Sequence, residues 1–365
     1  MLKEIGSEFW TGCTPVSNNK DYTMRPKAIY DSYANQIVET LSGRTALEHI
    51  VEILVKKGKK SAYLPAYCCH TMIEPFLTHG MSVSFYDVVL TENGLHRLVD
   101  ENHHCDCILV LDYFGHTDTE TPEIALREKE KGVTTIYDAT QSMYSEMDGY
   151  PYDYIYGSYR KWTDINCGFL AWKEPLDGEN ITQNSSESDD YPIMREKFFN
   201  MKASFMDGKA TSKDEFLYLI NDAESVLEKQ YHHKMPDDRS KDILKHTDVG
   251  FLKKVRKQNA QLLTEAINGM NNDRIRCFNA TINELDTPLF VAVSIAPEDR
   301  DNLRKHLIAN QIYCPIHWPI SEMHPCKSKS QVLFDSELSL ICDQRYGLDD
   351  MRRMESILLG FFNNQ

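Results

Sequence analysis

The sequence predicts an α/β fold, with a large domain built on a mostly parallel sheet and a smaller C-terminal α/β domain. Short β-rich runs alternate with helical patterns between about residues 30 and 172, and this alternation is typical of a parallel sheet covered by helices. The run ILVL at 108–111 is apolar at every position, as expected for a central strand with helices on both faces. A length of 365 residues also suits two domains better than one core.

The elements follow in order along the chain. Helical spacing of apolar residues dominates from 192 to about 269, and a β-rich run, PLFVAVSI at 288–295, then opens the smaller domain. We place the large domain at 1–265 and the small domain at 266–365. The predicted strands of the large domain are SAYL, SVSFYDV, CILVLDYF, VTTIYDA, YDYIYGS and CGFLAWK, and its first helices include TMIEPFLTHG and TPEIALREKEKG. The small domain adds the helical segment PEDRDNLRKHLIANQ and a last amphipathic stretch ending LLGFFNN.

Charge and hydropathy exclude several classes of partner. Forty Lys and Arg against 55 Asp and Glu give a formal charge of -15, which argues against nucleic acid and anionic membranes. The opening MLKEIGSEFW has no apolar signal region, and no run approaches the ~20 apolar residues of a membrane span. We therefore expect a cytoplasmic protein with small-molecule ligands.

The ten cysteines predict neither disulfides nor a metal centre. Several lie beside apolar runs, where a reduced thiol behaves as a small hydrophobic group. The segments Cys68-Cys69-His70, 103–107 and His232-His233 lack the paired spacing of known zinc sites. We expect no metal ligands.

Ligands of open α/β sheets collect beyond the carboxyl ends of the strands, and three segments near such positions carry suitable chemistry. The first, SGRTAL at 42–47, is a turn of small residues that opens a helix. Free N–H groups at a helix start favour a phosphate, and Gly43 lets the backbone approach it closely. A simple N-cap by Ser42 explains the same residues.

The second segment, TIYDATQ at 135–141, ends a buried strand with Asp138. A buried carboxylate costs several kcal/mol unless a cation or several donors meet it. A protonated pyridine nitrogen is such a cation, and the pairing keeps the ring a good electron sink. The alternative is a strand-end aspartate that caps the next helix.

The third segment, YGSYRKW at 156–162, contains Lys161 beside Arg160. A partly buried lysine next to another cation has a lowered pKa and can form an imine with an aldehyde. Taken alone, an adjacent arginine and lysine are most often a solvated basic pair. In their order along the chain, however, a phosphate cradle, a pyridinium partner and an imine lysine serve one molecule, pyridoxal phosphate (PLP).

The chain also resembles a known family, the DegT/StrS-type aminotransferases of the fold-type I PLP enzymes, which act mostly on nucleotide-linked keto sugars. The resemblance rests on the order of SGRTAL, LPAYCCHT, YFGHT, DATQ, SYRKW, VRKQNAQLL and ELSLICDQRYGLDDM. It implies the fold-type I fold, with a large sheet of the seven-stranded type, and a homodimer with shared active sites.

The resemblance also implies roles for individual residues. Lys161 becomes the lysine that carries PLP as a Schiff base and moves protons, and Asp138 becomes the partner of the pyridine nitrogen. Tyr67 is our choice for the residue stacked on the ring. The remaining cofactor-binding candidates are Gly43, Arg44, Thr45, Ala46, Gln141 and Ser158. The family has a serine five residues before the lysine, whereas this chain has Tyr there and Ser158 three residues before it.

Three residues near the C-terminus are candidates for substrate binding. His317 and Trp318 lie between two prolines and can face a ligand, although packing explains them as well. Arg345 can bind a carboxylate or phosphate in a bidentate manner, or form a structural ion pair with Asp343, Asp349 or Asp350. The expected activity is amino transfer from an amino acid to a keto compound. Another PLP reaction, such as a lyase or dehydratase, and a non-catalytic PLP- or ligand-binding protein are the alternatives.

Overall fold

A computed structural model describes residues 3–17, 24–33, 36–147, 149–174, 181–209 and 212–363 of the chain. Within them the helices are α1 (Lys27–Ser32), α2 (Gly43–Lys56), α3 (His70–Thr78), α4 (Glu120–Glu130), α5 (Asp190–Met206), α6 (Asp214–Gln230), α7 (Asp238–His246), α8 (Val249–Gly269), α9 (Pro297–Ala309), α10 (Gln331–Ser336) and α11 (Leu348–Asn363). The strands are β1 (Ile5–Gly6), β2 (Ile37–Thr40), β3 (Ser61–Pro65), β4 (Ser82–Thr91), β5 (Gly94–Leu98), β6 (Cys107–Leu111), β7 (Thr134–Asp138), β8 (Tyr154–Ser158), β9 (Gly168–Trp172), β10 (Ile275–Cys277), β11 (Val291–Ile295), β12 (Ile312–Tyr313) and β13 (Glu337–Leu340).

A large, mostly parallel sheet organises the first two thirds of the chain. Its eight strands have the order β2-β9-β8-β7-β6-β3-β4-β5. The five consecutive strands from β8 to β4 pair in parallel, whereas β9 and β5 are antiparallel to their neighbours. The predicted α/β class with a large parallel sheet is confirmed, and β5 adds an eighth strand at one edge.

The prediction of a central strand at 108–111 is also confirmed. Strand β6 lies between β7 and β3, and all five of its residues are buried. Helix α4 packs on β6 and β7, and α2 packs on β8 and β9. This burial explains why the strand reads as a continuous apolar run.

A second core forms around the antiparallel sheet β10-β11-β13. Helices α9 and α11 contribute Leu303 and Leu358, and α8 contributes Leu263. Ile5 from the start of the chain joins the same core. The small α/β unit of the C-terminal part therefore exists, while its boundary at 265/266 stays a prediction.

No helix among the described residues combines the length and the apolar character needed to cross a membrane.

Strand β9 approaches the start of α2 closely, and Gly168 permits this approach. A Cβ atom at Gly168 would lie 2.5 Å from the backbone carbonyl carbon of Ser42 and 2.7 Å from the backbone nitrogen of Gly43. The contact fixes the N-terminus of α2 against the sheet edge where β8 ends.

Substituting Gly168 by alanine should therefore destabilise the fold. The clash is with backbone atoms, which cannot rotate away, so we expect Gly168→Ala to lower the free energy of unfolding by about 1–3 kcal/mol. Gly269→Ala in α8 is the matched control, because nothing lies within 4 Å of a Cβ there. That variant should gain about 0.4–1 kcal/mol. Denaturant titrations measure both, and equal stabilities of the two variants would contradict this account of Gly168.

Candidate active site

The carboxyl ends of β6, β7 and β8 and the N-terminus of α2 surround a cavity of about 410 Å³. We call it the Asp138 cavity. It is lined by predicted residues from four segments, Gly43, Arg44, Asp138, Gln141, Ser158, Lys161, His317 and Trp318. Its volume falls within the range typical of small-molecule sites.

Asp138 ends β7 and lies 5% exposed at the wall of this cavity. One carboxylate oxygen accepts a hydrogen bond from the Thr140 backbone N–H at 2.8 Å, and the other accepts one from the Tyr156 hydroxyl at 2.8 Å. Burial raises the pKa of Asp138, and these hydrogen bonds only partly offset the shift. Asp138 forms no ion pair with any Lys, Arg or His of the described residues. The carboxylate is thus placed to receive a cationic ligand group.

Lys161 closes the short 3₁₀ turn Tyr159–Lys161, which follows β8 directly. Its side chain is exposed and lines the cavity. Desolvation lowers its pKa, and the neighbouring Arg160 guanidinium lowers it further, although Glu8 and Glu224 oppose the shift. A lowered pKa raises the fraction of neutral, nucleophilic amine.

Arg160 is fixed by α6. Its Nη1 atom lies 2.8 Å from both carboxylate oxygens of Glu224, and this ion pair is the largest cause of its raised pKa. The cation that acts on Lys161 therefore occupies a defined position and remains charged.

The start of α2 combines an N-cap with free donors. The Ser42 hydroxyl accepts a hydrogen bond from the Thr45 N–H at 3.1 Å, and the Ser42 carbonyl accepts one from the Ala46 N–H at 3.1 Å. The side chains of Thr45 and Ala46 are fully buried. The Thr45 hydroxyl donates a hydrogen bond to the Tyr231 carbonyl oxygen at 2.8 Å. Gly43 and Arg44 are the first two residues of α2, so their backbone N–H groups have no acceptor within the helix and can bind an anion in the cavity.

Ser158 and Gln141 complete the polar part of the wall. A Cβ atom at Gly43 would lie 3.1 Å from Ser158 Cβ, so the glycine lets the two segments approach. Gln141 accepts the Phe114 backbone N–H at 2.8 Å through its side-chain oxygen. Its amide nitrogen is the group left to face a ligand.

Tyr67 lies behind the cavity wall. Its ring is fully buried and packs on Tyr113, Trp318 and Phe334, with centroid distances of 5.0–5.5 Å. Its hydroxyl donates to the His317 carbonyl at 2.7 Å. Cys69 and His70, the next residues along this segment, line the cavity instead.

A second cavity, of about 310 Å³, is also lined by Lys161. We call it the Arg256 cavity. Both cavities are lined by Arg160, Lys161, Leu289, Pro315 and His317. The additional charged residues of the Arg256 cavity are Glu8, Arg256, Arg304, Asp343 and Arg345. Its walls therefore carry an excess of positive charge.

Arg256 is the most deeply buried of these cations, with 1% of its surface exposed. Its Nε donates to Gln344 at 2.8 Å and its Nη1 to the Leu289 carbonyl at 3.0 Å. Among the described residues its Nη2 has no hydrogen-bond acceptor. Nη2 is itself covered by protein atoms, so Arg256 contributes positive charge to this cavity from within its wall.

The substrate candidates differ in their surroundings. Arg345 forms a bidentate ion pair with Asp343 at 2.8 and 2.7 Å, which is one of the alternatives that its sequence context left open. His317 lines both cavities, and its Nδ1 lies 2.9 Å from the Ser339 hydroxyl. Trp318 lines the Asp138 cavity and packs edge-on against Tyr67.

Sequence reasoning missed Tyr156, Cys69, Thr140 and Glu224 as members of the site. Tyr156 occupies the position at which the family pattern has a serine, and this departure was the available signal. Glu224 gave no signal, because it comes from a helix 63 residues after Lys161 in the chain.

No protein-family model matches the chain, and no curated protein matches it. Solved structures match it over most of its length. PseC of Helicobacter pylori, an aminotransferase involved in the biosynthesis of pseudoaminic acid, is 13% identical, with 100% of both chains covered and a TM-score of 0.67. NtdA of Bacillus subtilis, solved with bound cofactor PMP, is 14% identical, with 96% of this chain and 78% of that chain covered and a TM-score of 0.63. ColD, a GDP-4-keto-6-deoxymannose-3-dehydratase solved with GDP-perosamine, is 14% identical, with 93% and 92% covered and a TM-score of 0.63.

The chain therefore has the fold of the fold-type I PLP-dependent aminotransferases. At identities of 13–14% the likeness establishes the fold, and the chemistry has to be argued from the two cavities.

The buried Asp138 carboxyl predicts a pH dependence of stability in the ligand-free protein. Its pKa is raised above the ordinary 3.8, so the folded state holds more protons than the unfolded state above that pH. The free energy of unfolding of the wild type, relative to Asp138→Asn, should fall as the pH rises from 3.8 through the raised folded pKa. Denaturant titrations over this range measure the difference.

Asp238→Asn is the control with the opposite sign. Its hydrogen bond and charge interaction with Lys241 lower the pKa of Asp238, so the wild type should gain stability over that variant as the pH rises towards 3.8. A flat or rising difference for Asp138→Asn would contradict the assignment of a raised pKa.

Proposed function

We propose that the chain is a PLP-dependent aminotransferase that moves an amino group from an amino acid to a keto compound, with Lys161 as the residue that carries the cofactor. The observation that carries this proposal is that Lys161 lines two cavities. One cavity ends in the buried carboxylate of Asp138, and the other is rich in guanidinium groups.

The residues of the Asp138 cavity fit PLP. The free N–H groups of Gly43 and Arg44 and the Ser158 hydroxyl suit its phosphate. Asp138, which is buried without a cationic partner among the described residues, suits its protonated ring nitrogen. Bound PLP supplies an electron sink that stabilises negative charge on the reacting carbon of the substrate.

Lys161 performs the proton transfers. The desolvation and the Arg160 charge that lower its pKa favour the neutral amine, which can take a proton from the substrate carbon at Nζ. Asp138 keeps the ring nitrogen protonated, because its negative charge opposes loss of that proton. Tyr156 and Thr140 hold the carboxylate in place by hydrogen bonds to its two oxygens.

The Arg256 cavity suits the carboxylate of the amino donor and the anionic part of the acceptor. The exposed Arg304 provides donors for these groups, and the buried Arg256 guanidinium adds positive charge to the wall. Glutamate is the donor that we propose to test first, and a nucleotide-linked keto sugar is the acceptor class that the family resemblance favours. The resemblance also favours a homodimer, which light scattering tests directly.

A dehydratase is the second candidate, because ColD, a GDP-4-keto-6-deoxymannose-3-dehydratase, has the same fold. The two reactions differ in their products. An aminotransferase leaves the amino group of the donor on the acceptor and releases one keto acid for each amino group moved, whereas a dehydratase gives a deoxygenated keto sugar that carries no new nitrogen. Release of 2-oxoglutarate from glutamate in proportion to aminated product supports transfer over elimination.

Replacing Lys161 should remove turnover. We expect Lys161→Ala to lower kcat by at least about 10²–10⁴-fold, since both the covalent anchor and the proton-transfer group are lost. After borohydride reduction, peptide mass spectrometry should find PLP on the wild-type peptide that contains Lys161. The corresponding peptide of the variant should carry no PLP. Lys173→Ala at the end of the neighbouring β9 is the matched control, and equal activities of the two variants would refute the proposal.

Removing the charge of Arg304 should weaken substrate binding. Arg304 lies on the exposed side of the Arg256 cavity, so loss of about 0.5–1 kcal/mol in Arg304→Gln should raise KM for the anionic substrate about 2–5-fold with little change in kcat. Arg300→Gln is the control, because Arg300 lies one turn earlier on α9 and binds the Phe334 carbonyl instead. An unchanged KM, or an equal rise in the control, would remove Arg304 from the substrate site.

A further inference from the structure

A cluster of histidine and glutamate side chains lies on the later turns of α2, outside the two cavities. His49 and Glu52 are three residues apart on this helix and so lie on one face. His233, from the segment after α6, contacts the same carboxylate, with its Nε2 3.0 Å from Glu52 Oε1. His49 Nδ1 lies 3.7 Å from Glu52 Oε2.

We propose that His49, Glu52 and His233 form a Zn²⁺ site. Each offers one ligand atom, and the three atoms lie within 4.8 Å of one another. Bonds of ~2.0–2.1 Å to a tetrahedral zinc ion place ligand atoms about 3.3 Å apart. The two measured distances, 3.0 Å from His233 Nε2 to Glu52 Oε1 and 3.7 Å from His49 Nδ1 to Glu52 Oε2, are close to that value, and rotation of the carboxylate would turn one oxygen towards an ion held by both histidines.

Buried polar atoms without partners provide the second observation. His49 is 3% exposed and Glu48 is 2% exposed. Among the described residues, His49 Nε2 and Glu48 Oε2 have no hydrogen-bond partner. Glu48 also lies with Glu52 and His79 in a second group whose ligand atoms are within 4.8 Å of one another. Two neighbouring carboxylates, one of them almost fully buried, favour a divalent cation between them and the histidines.

The surrounding hydrogen bonds orient the cluster as they do around metal ions in other proteins. His79 Nδ1 lies 2.9 Å from the Pro75 carbonyl, which fixes the proton on Nδ1 and leaves the Nε2 lone pair free. That Nε2 lies 3.7 Å from Glu52 Oε1. His232 Nδ1 lies 2.5 Å from Glu48 Oε1 and holds this second carboxylate in place. Both oxygens of the Glu52 carboxylate thus have a histidine nitrogen nearby.

The ligands come from two parts of the chain, so the ion would tie α2 to the segment after α6. The backbone carbonyl of Tyr231 in that segment accepts a hydrogen bond from the hydroxyl of Thr45 at the start of α2. The N-terminal turn of the same helix supplies Gly43 and Arg44 to the Asp138 cavity. A bound Zn²⁺ therefore stabilises the helix that forms one wall of that cavity. The proposal does not depend on the activity of the enzyme.

The test uses the full chain without an affinity tag, treated with EDTA and dialysed. We expect isothermal titration with Zn²⁺ to show one ion per chain and the melting temperature to rise with the Zn²⁺ concentration. Co²⁺ in place of Zn²⁺ should give the visible absorbance of a low-coordinate nitrogen and oxygen site. His233→Ala and Glu52→Gln should each weaken Zn²⁺ binding by at least about 10–100-fold.

His246→Ala is the matched control, since His246 is exposed at the end of α7 and paired with Asp242. It should bind Zn²⁺ as the wild type does. His233 is 39% exposed, so its substitution leaves the core intact, and circular dichroism of the metal-free variants verifies this. Absence of saturable binding in the wild type, or the same affinity in His233→Ala, Glu52→Gln and His246→Ala, would overturn the proposal.

Discussion

The burial of the Asp138 carboxylate is the constraint on which the rest of the site depends. A charge at this depth is costly unless donors or a cation meet it. Strand β8 supplies one donor, the Tyr156 hydroxyl, and the turn after β7 supplies the other, the Thr140 N–H. Strands β7 and β8 pair so that Asp138 and Tyr156 are directly opposite each other. The same register brings Lys161 to the sheet edge three residues after β8 ends. Pairing of these strands therefore positions the carboxylate, its hydroxyl donor and the lysine together.

The charge state of Lys161 depends on helices as well as on the sheet. Desolvation and Arg160 lower its pKa, while Glu8 and Glu224 raise it. Glu224 acts twice, because it also binds Arg160 and keeps that guanidinium charged. Burial alone would raise the pKa of Glu8, but Arg195 and the other nearby cations lower it to about 2. The pKa of Lys161 therefore depends on its desolvation and on several fixed charges of both signs, and no single neighbour determines it.

The sequence was informative where structure is local. Continuous apolar runs predicted the parallel strands, and residues just beyond those strands, such as Asp138 and Lys161, line the Asp138 cavity. The edge strands β2 and β5 were not predicted. Strand β2 has four residues and pairs with the distant β9, whereas β5 forms a hairpin with β4 around residues 92–93. Tyr67 was predicted to stack on the cofactor ring, and this role stays a prediction. Its ring packs on Tyr113 behind the wall of the Asp138 cavity, whereas Cys69 and His70 line the cavity. The directions of side chains after β3 cannot be inferred from residue spacing. The expectation of no metal site considered neighbours in sequence, whereas the proposed ligands His49 and His233 come together only in the fold.

His317 links the two cores at the wall that both cavities share. Its carbonyl accepts the Tyr67 hydroxyl from the large core, while its ring is bound by β13 of the small core. The Ser339 hydroxyl donates to Glu337 at 2.5 Å, so its oxygen is free to accept Nδ1–H of the imidazole. The neutral ring then has its lone pair on Nε2, for which no hydrogen bond is found among the described residues. His317 lines both cavities, so a ligand in either cavity can contact its ring. The hydrogen bond to Ser339 of the small core fixes the tautomer of that ring.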